Sequence, residues 1–158
     1  MIRRATPADI PALVGLVHDL AEYEKAAEQC HLTEDQLRTA LFGDSPAVFA
    51  HVAEGSEAEG VVGCAIWFRN FSTWEGVHGI FLEDLYVKPV ARGRGFGKSL
   101  LVALAQEAVE QGYGRVDWSV LKWNTPSIDF YESIGAVDQN EWTNYRLTGD
   151  ALAKLAAS

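Results

Sequence analysis

Thiols are scarce in this sequence: Cys30 and Cys64 are the only two, and no Cys-x-x-Cys occurs. The histidines, His18, His31, His51 and His78, are scattered at no spacing that would hold a metal. Neither a zinc site nor a dithiol redox centre is expected, and no metal. Cys64 lies inside the apolar run VVGCAIWF and reads as a core residue. Cations are in deficit too, 13 Lys and Arg against 22 Asp and Glu, for a net charge of -9. Such a chain is a poor partner for nucleic acid. The charge suits a cationic small molecule, although solubility alone would account for it. No apolar run approaches the roughly 18 residues of a membrane helix, so no membrane partner is expected. The opening MIRRATPADI lacks the apolar stretch of a secretory leader, and the expected location is cytoplasmic. Repeats, low-complexity tracts and linkers are missing as well.

Apolar material is ample. The chain is long enough for one α/β domain with a proper core and too short for two comfortable ones, so residues 1–158 are read as a single domain. Residues 2–4 begin a strand. Thr6-Pro7 then opens a helix whose apolar face is Ile10, Leu13, Val14, Val17, Leu20 and Ala21. After the carboxylate-rich loop AEYEKAAEQCH, Thr33 starts a second helix with the capping box TEDQ, and Gly43 ends it. Three strands follow, AVFAHVAE, VVGCAIWFRN and VHGIFLEDLYV, with EGSEAEG as a hairpin loop between the first two. A long helix carries the stripe Leu100, Leu101, Leu104, Ala105 and Ala108 and stops at Gly112. GRVDWSVL reads as a strand and WNTPSIDFYESIG as a short helix capped by Asn124 or Thr125. A last strand around 144–147 and a frayed terminal helix complete the pattern.

Between the third of those strands and the long helix stands RGRGFGKS, residues 92–99. A nucleotide P-loop needs a glycine where Arg92 stands, and Gly93-x-Gly95-x-Gly97 is not the dinucleotide fingerprint Gly-x-Gly-x-x-Gly. Both near-misses leave one physical core: a strand ends, glycines let amides converge, and a helix N-terminus turns its dipole toward an anion. Arg92, Arg94 and Lys98 add charge. A glycine-eased turn with solvated cations is the plainer alternative.

The order Arg92-x-x-Gly95-x-Gly97, after a strand and before a long amphipathic helix, resembles the Arg/Gln-x-x-Gly-x-Gly/Ala signature of the GCN5-related N-acetyltransferases (GNAT). WNTPSIDFYESIGA is similar to that family's second motif, and the resemblance covers essentially the whole chain. LAEYEK, FLEDLYV and WNTPSIDFY bring it nearest to the spermidine/spermine and thialysine N-acetyltransferase branch. The resemblance implies an α/β (α+β) fold with a central mixed, mostly antiparallel twisted sheet and helices on both faces. It implies acetyl-coenzyme A as cosubstrate, a small cationic amine as acceptor, and a homodimer.

Site residues follow from the same resemblance. The cofactor side would comprise Arg92, Gly93, Arg94, Gly95, Phe96, Gly97 and Lys98, the backbone of Leu85, Tyr86 and Val87, and the segment Asn124, Thr125, Pro126 and Ser127. Tyr131 would protonate the leaving thiolate, although Ile128, Tyr131 and Ile134 also have the spacing of a packing stripe. Glu83 would contact the amine and accept its proton, with Tyr23 and Glu24 on the substrate side. Glu83 and Asp84 are neighbours in a strand, so alternation predicts opposite faces for them, with a structural salt bridge for Asp84. Where the branch carries a late acidic contact this chain has Thr143, with Glu141 two residues away. Two rival functions stand beside amine acetylation. One is a non-catalytic acyl-coenzyme A binding module and the other a nucleotide-phosphate binder with an irregular P-loop. Within the enzyme reading, a protein amine or an aminoglycoside-like compound is an alternative acceptor.

Overall fold

A computed structural model describes all 158 residues, in two compact units, Met1–Ser119 and Val120–Ser158. In the first unit, β1 (Ile2–Arg4) leads through a 3-10 turn, Pro7–Asp9, into α1 (Ile10–Tyr23), followed by α2 (Glu34–Phe42). Then come β2 (Phe49–Glu54), β3 (Val61–Ser72), β4 (Val77–Val87), α3 (Phe96–Gln111) and β5 (Val116–Trp118). The five strands form one sheet in the order β1-β2-β3-β4-β5. Every neighbouring pair is antiparallel except β4 and β5, which run parallel. This is the mixed, mostly antiparallel sheet that the resemblance implied.

Local chemistry sets the helix starts. Thr6 and Asp9 form a capping box around the first turn, and Thr33 and Gln36 form the second, with Gln36 N–H donating to Thr33 Oγ1 at 3.2 Å. Asp9 is buried because Arg3 holds it with two hydrogen bonds, 2.8 and 3.0 Å, while also reaching Glu54 at 2.7 Å. That network ties β1, the start of α1 and β2 together. The Arg3 hydrogen bonds hold the Asp9 carboxyl down at about 2.

Side-chain alternation gives the sheet two covered faces. On one, Ala50, Val52, Cys64, Ile66 and Tyr86 pack against Ile10, Leu13 and Leu16 of α1 and Leu37 and Leu41 of α2. On the other lie His51 and Trp67, whose Nε1 donates to His51 Nδ1 at 3.2 Å. Arg4 stacks over Trp67 there and pairs with Glu107 of α3 at 2.7 Å. Burial and the neighbouring Arg4 charge push the His51 imidazole down to about 4, so it is neutral at pH 7. α3 buries Leu100, Leu101, Leu104 and Ala108, whereas Ala105, expected in the same stripe, is exposed.

The second unit contains α4 (Thr125–Ser133) and α5 (Gly149–Ala156). The strand expected at 144–147 does not form. A strand needs a hydrogen-bonding neighbour. The second unit holds no other strand to supply one, and Tyr145 is 96% exposed. No helix in the chain is long and apolar enough to cross a membrane.

Candidate active site

The irregularity that shapes the site is a β-bulge in β4. Leu82 lies opposite Trp67 and Asp84 lies opposite Ile66, which leaves Glu83 without a partner on β3. Trp67 and Ile66 are successive residues and face opposite sides of the sheet. Leu82 and Asp84 therefore also face opposite sides, although they are two residues apart. Asp84 shares the α1 face with Ile66. Glu83, one residue past Leu82, is turned to that same face by ordinary alternation. The expectation that the two carboxylates point apart is thus overturned, because the extra residue resets the parity between them.

Electrostatics agrees with this placement. Burial pushes the Asp84 carboxyl up to about 7, and the like charges of Glu83 and Glu24 add to the shift. No salt bridge offsets it: the ion pairs of the chain do not include Asp84, contrary to the structural role expected for it. Cys64, fully buried on the same face, has its thiol pushed up by burial and then by Asp84, so it is an inert core residue. Glu24, at the end of α1, has its carboxyl raised by burial. Its position is fixed by a Schellman ending, in which Ala26 N–H donates to Ala21 O and Lys25 N–H to Glu22 O. Lys25 occupies the left-handed position with φ 60, where glycine is usual. A side chain there costs about 1–2 kcal/mol of backbone strain.

Beyond the bulge, β4 has an open edge. β5 covers it only at Ile80, Phe81 and Leu82. Lys88 N–H bonds inward to Val62 O, whereas Val87 O accepts Arg92 Nε from the other side at 2.9 Å. By alternation the amides of Leu85 and Val87 point outward, along the uncovered edge, ready to pair with an extended ligand as an added strand does. The Tyr86 side chain turns the other way and is buried against the α1 face.

The glycine loop then delivers the chain to α3. Gly93 and Gly95 have φ of 78 and 82, a conformation that L side chains avoid, and Gly95 is the N-cap. Ser99 N–H closes the first turn on Gly95 O. The amides of Phe96, Gly97 and Lys98 have no helical acceptor, and the α3 dipole backs them. A Cβ built at Gly97 would meet nothing within 4 Å. The donor set and the open space fit the pyrophosphate of a coenzyme. The cations are placed less simply. Arg94 is held by Glu59 at 2.6 and 3.2 Å and lies over the Phe96 ring, 5.0 Å from its centroid. Lys98 is exposed. Arg92 folds back from the loop onto Tyr23 and Tyr86, at 5.2 and 5.4 Å from the ring centroids.

In the second unit, Asn124 is the N-cap of α4 but its side chain does not close the cap, and Pro126 lies in the first turn. Asn124 is buried; Thr125 and Pro126 are exposed and Ser127 is half-buried. Tyr131 is half-buried, with its ring 5.7 Å from that of Phe130. Ile134 is 39% exposed, and α4 has no fully buried residue, so the 128/131/134 stripe is not a core stripe. Glu141 and Thr143 are exposed. No group of three or more His, Cys, Asp or Glu side chains is arranged to hold a metal ion.

The model of the acetyltransferase (GNAT) family matches residues 14–136. Thialysine N-epsilon-acetyltransferase of Bos taurus is 38% identical over 165 residues, spanning 99% of this chain and 96% of that protein. L-ornithine N5-acetyltransferase of Arabidopsis thaliana is 31% identical, over 98% of this chain and 86% of that protein. Among solved structures, an integron cassette protein of V. cholerae superposes with a TM-score of 0.81 at 30% identity, covering 100% of this chain and 98% of its own. An aminoglycoside acetyltransferase from a soil metagenome superposes at 0.78 with 20% identity, over 95% and 96%, a likeness of fold. By its motifs, its sheet and these relatives, the chain belongs to the acetyltransferase (GNAT) family.

Proposed function

We propose that this enzyme acetylates a primary amine of a small cationic substrate (a diamine, a polyamine or a lysine-like amine) by direct attack on acetyl-coenzyme A in a ternary complex. The observation that carries the reading is the bulge, which brings Glu83 and Asp84 onto one face where Asp84 also feels Glu24. A free alkylamine has a pKa near 10.4, so making it nucleophilic at pH 7 costs roughly 4.6 kcal/mol unless a base takes the proton. Asp84, poised near neutrality, accepts that proton, and exposed Glu83 holds the amine. Tyr23 and Glu24 flank the substrate. The outward amides of Leu85 and Val87 donate to the thioester carbonyl oxygen as negative charge grows on it. Residues 93–98 and the segment Asn124–Ser127 hold the coenzyme. On its place in the second motif, Tyr131 donates a proton to the departing sulfur. Both units are taken to act as one domain, as a cytoplasmic homodimer. The activities for which the two relatives are named, on thialysine and on ornithine, support a lysine-like acceptor.

The substrate test compares matched monoamines and diamines of equal length. A charged hydrogen bond to the remote cation is worth about 1.5–3 kcal/mol, or roughly 10- to 150-fold in kcat/KM. Diamines should therefore win by at least tenfold, and Glu83→Gln should narrow the gap. Equal rates for the two series would remove the diamine assignment. Absence of thiol release with every amine would leave a binding module.

Removing only the phenol of Tyr131, as Tyr131→Phe, should lower kcat about 100-fold while coenzyme affinity stays put. Single-turnover kinetics reads this directly. A kcat within threefold of wild type would remove Tyr131 from the chemistry.

A further inference from the structure

Arg92 opens the anion signature, and its expected task is to meet a phosphate. Its side chain is turned to something else. The guanidinium lies 5.2 Å from the Tyr23 ring centroid and 5.4 Å from that of Tyr86, and Nε donates to Val87 O at 2.9 Å. Tyr23 is the last residue of α1, one position before Glu24, and Tyr86 stands two residues after Asp84. The acids of that helix end, Asp19 and Glu22, also act on the Tyr86 phenol together with Arg92. The cation thus sits between the end of α1 and the open end of β4, with acidic neighbours.

We infer that Arg92 is a positioning residue for the amine site, clamping Tyr23 and with it Glu24 against β4, and is not a ligand of the coenzyme phosphates. The plane of a guanidinium suits it to this task, since it stacks on aromatic faces while its edge donates to a carbonyl. Lysine does neither as well. Through this residue the loop that receives the coenzyme also sets the wall that receives the amine, because Gly93 follows Arg92 directly. The inference rests on the reading of Tyr23 and Glu24 as the amine side.

The test separates the two substrates. Arg92→Met keeps the side-chain length but removes the charge and the donor, and Arg92→Lys is the milder variant should the first fold poorly. Calorimetry with coenzyme A should give both variants a Kd within about threefold of wild type. The KM of the best diamine should rise about tenfold for Arg92→Met and less for Arg92→Lys. Tyr23→Leu should raise the same KM, and the double variant Tyr23→Leu with Arg92→Met should be no worse than either alone, since both break one clamp. A tenfold loss of coenzyme A affinity with the amine KM unchanged would make Arg92 an anion ligand and overturn the inference. Additive effects of Arg92→Met and Tyr23→Leu would overturn it too. A wild-type protein that turns over no amine sinks the functional reading and this inference together; an active wild type with either overturning pattern sinks this inference alone.

Discussion

Asp84→Asn should leave the protein more stable than wild type above pH 7 and slower by two to four orders of magnitude. The two effects have one cause. Burial and the charges of Glu83 and Glu24 lift the Asp84 carboxyl from its ordinary value of 3.8 to about 7. An acid whose folded value is raised binds its proton more tightly in the folded state. Its contribution is nil below about pH 4, where it is protonated in both states, and becomes a full penalty above pH 7, where an ionised carboxylate must stay buried. At 1.36 kcal/mol per pH unit the penalty is about 2–4 kcal/mol after allowance for relaxation around the charge. Asparagine carries no charge and escapes it. Urea titrations at pH 5 and pH 8 should show the advantage of the variant growing with pH. The loss of rate comes from the missing proton acceptor, for which 10²–10⁴-fold is the usual range. Wild-type kcat/KM should rise through about pH 7 as Asp84 ionises, above the steady rise from the amine itself. In the variant only the second rise should remain. A variant within threefold of wild type, with the same profile, would make Asp84 a bystander and return the base to Glu83.

Why Asp84 was assigned a salt bridge from the sequence, and Glu83 the chemistry, follows from what a sequence exposes. Features closed within a few residues were readable: the Thr33-Gln36 capping box, the glycine turn before α3, the stop at Gly112. Each depends on local sterics and hydrogen bonds. The bulge depends on how β4 registers against β3, a partner ten or more residues away in the chain, and period-two alternation cannot foresee it. One signal was present, since two adjacent carboxylates in an apolar strand already contradict a regular two-faced pleat. The direction of Arg92 was hidden for a similar reason. Its neighbours along the chain suggest an anion, but the rings it stacks on are supplied by α1 and β4. At 144–147 NYRL reads as a strand, yet a sequence alone cannot provide the neighbour that a strand must pair with. In the second motif the sequence leaves the cap of α4 open between Asn124 and Thr125; Asn124 holds the N-cap position, without a side-chain hydrogen bond to the helix.

Gly97→Val should abolish measurable coenzyme A binding, or weaken it by 10²–10⁴-fold, in a protein that folds as well as wild type. Gly97 is the right residue to test because its two neighbouring glycines are not clean probes. Gly93 and Gly95 hold φ of 78 and 82, so any side chain there strains the turn itself and mixes lost binding with lost folding. Gly97 lies in the first turn of α3, and a Cβ there meets nothing within 4 Å. Nothing inside the protein demands glycine at this position. Replacing glycine in a helix even recovers up to about 1 kcal/mol of conformational entropy, most with alanine and less with valine. A demand for smallness must then come from a ligand that lies against the helix end. The amides of Phe96, Gly97 and Lys98 point there without acceptors of their own. Hydrogen bonds from such amides to a phosphate are charge-assisted, about 1.5–3 kcal/mol each, and losing two of them gives the expected range. Gly97→Ala, the other residue that the family signature admits, is the control and should bind within a few-fold of wild type. Melting curves should place both variants at or above wild type, and calorimetry with coenzyme A should part them. If valine binds coenzyme A as tightly as glycine does, the pyrophosphate does not rest on this helix end, and the anion site must be sought elsewhere along the β4 edge.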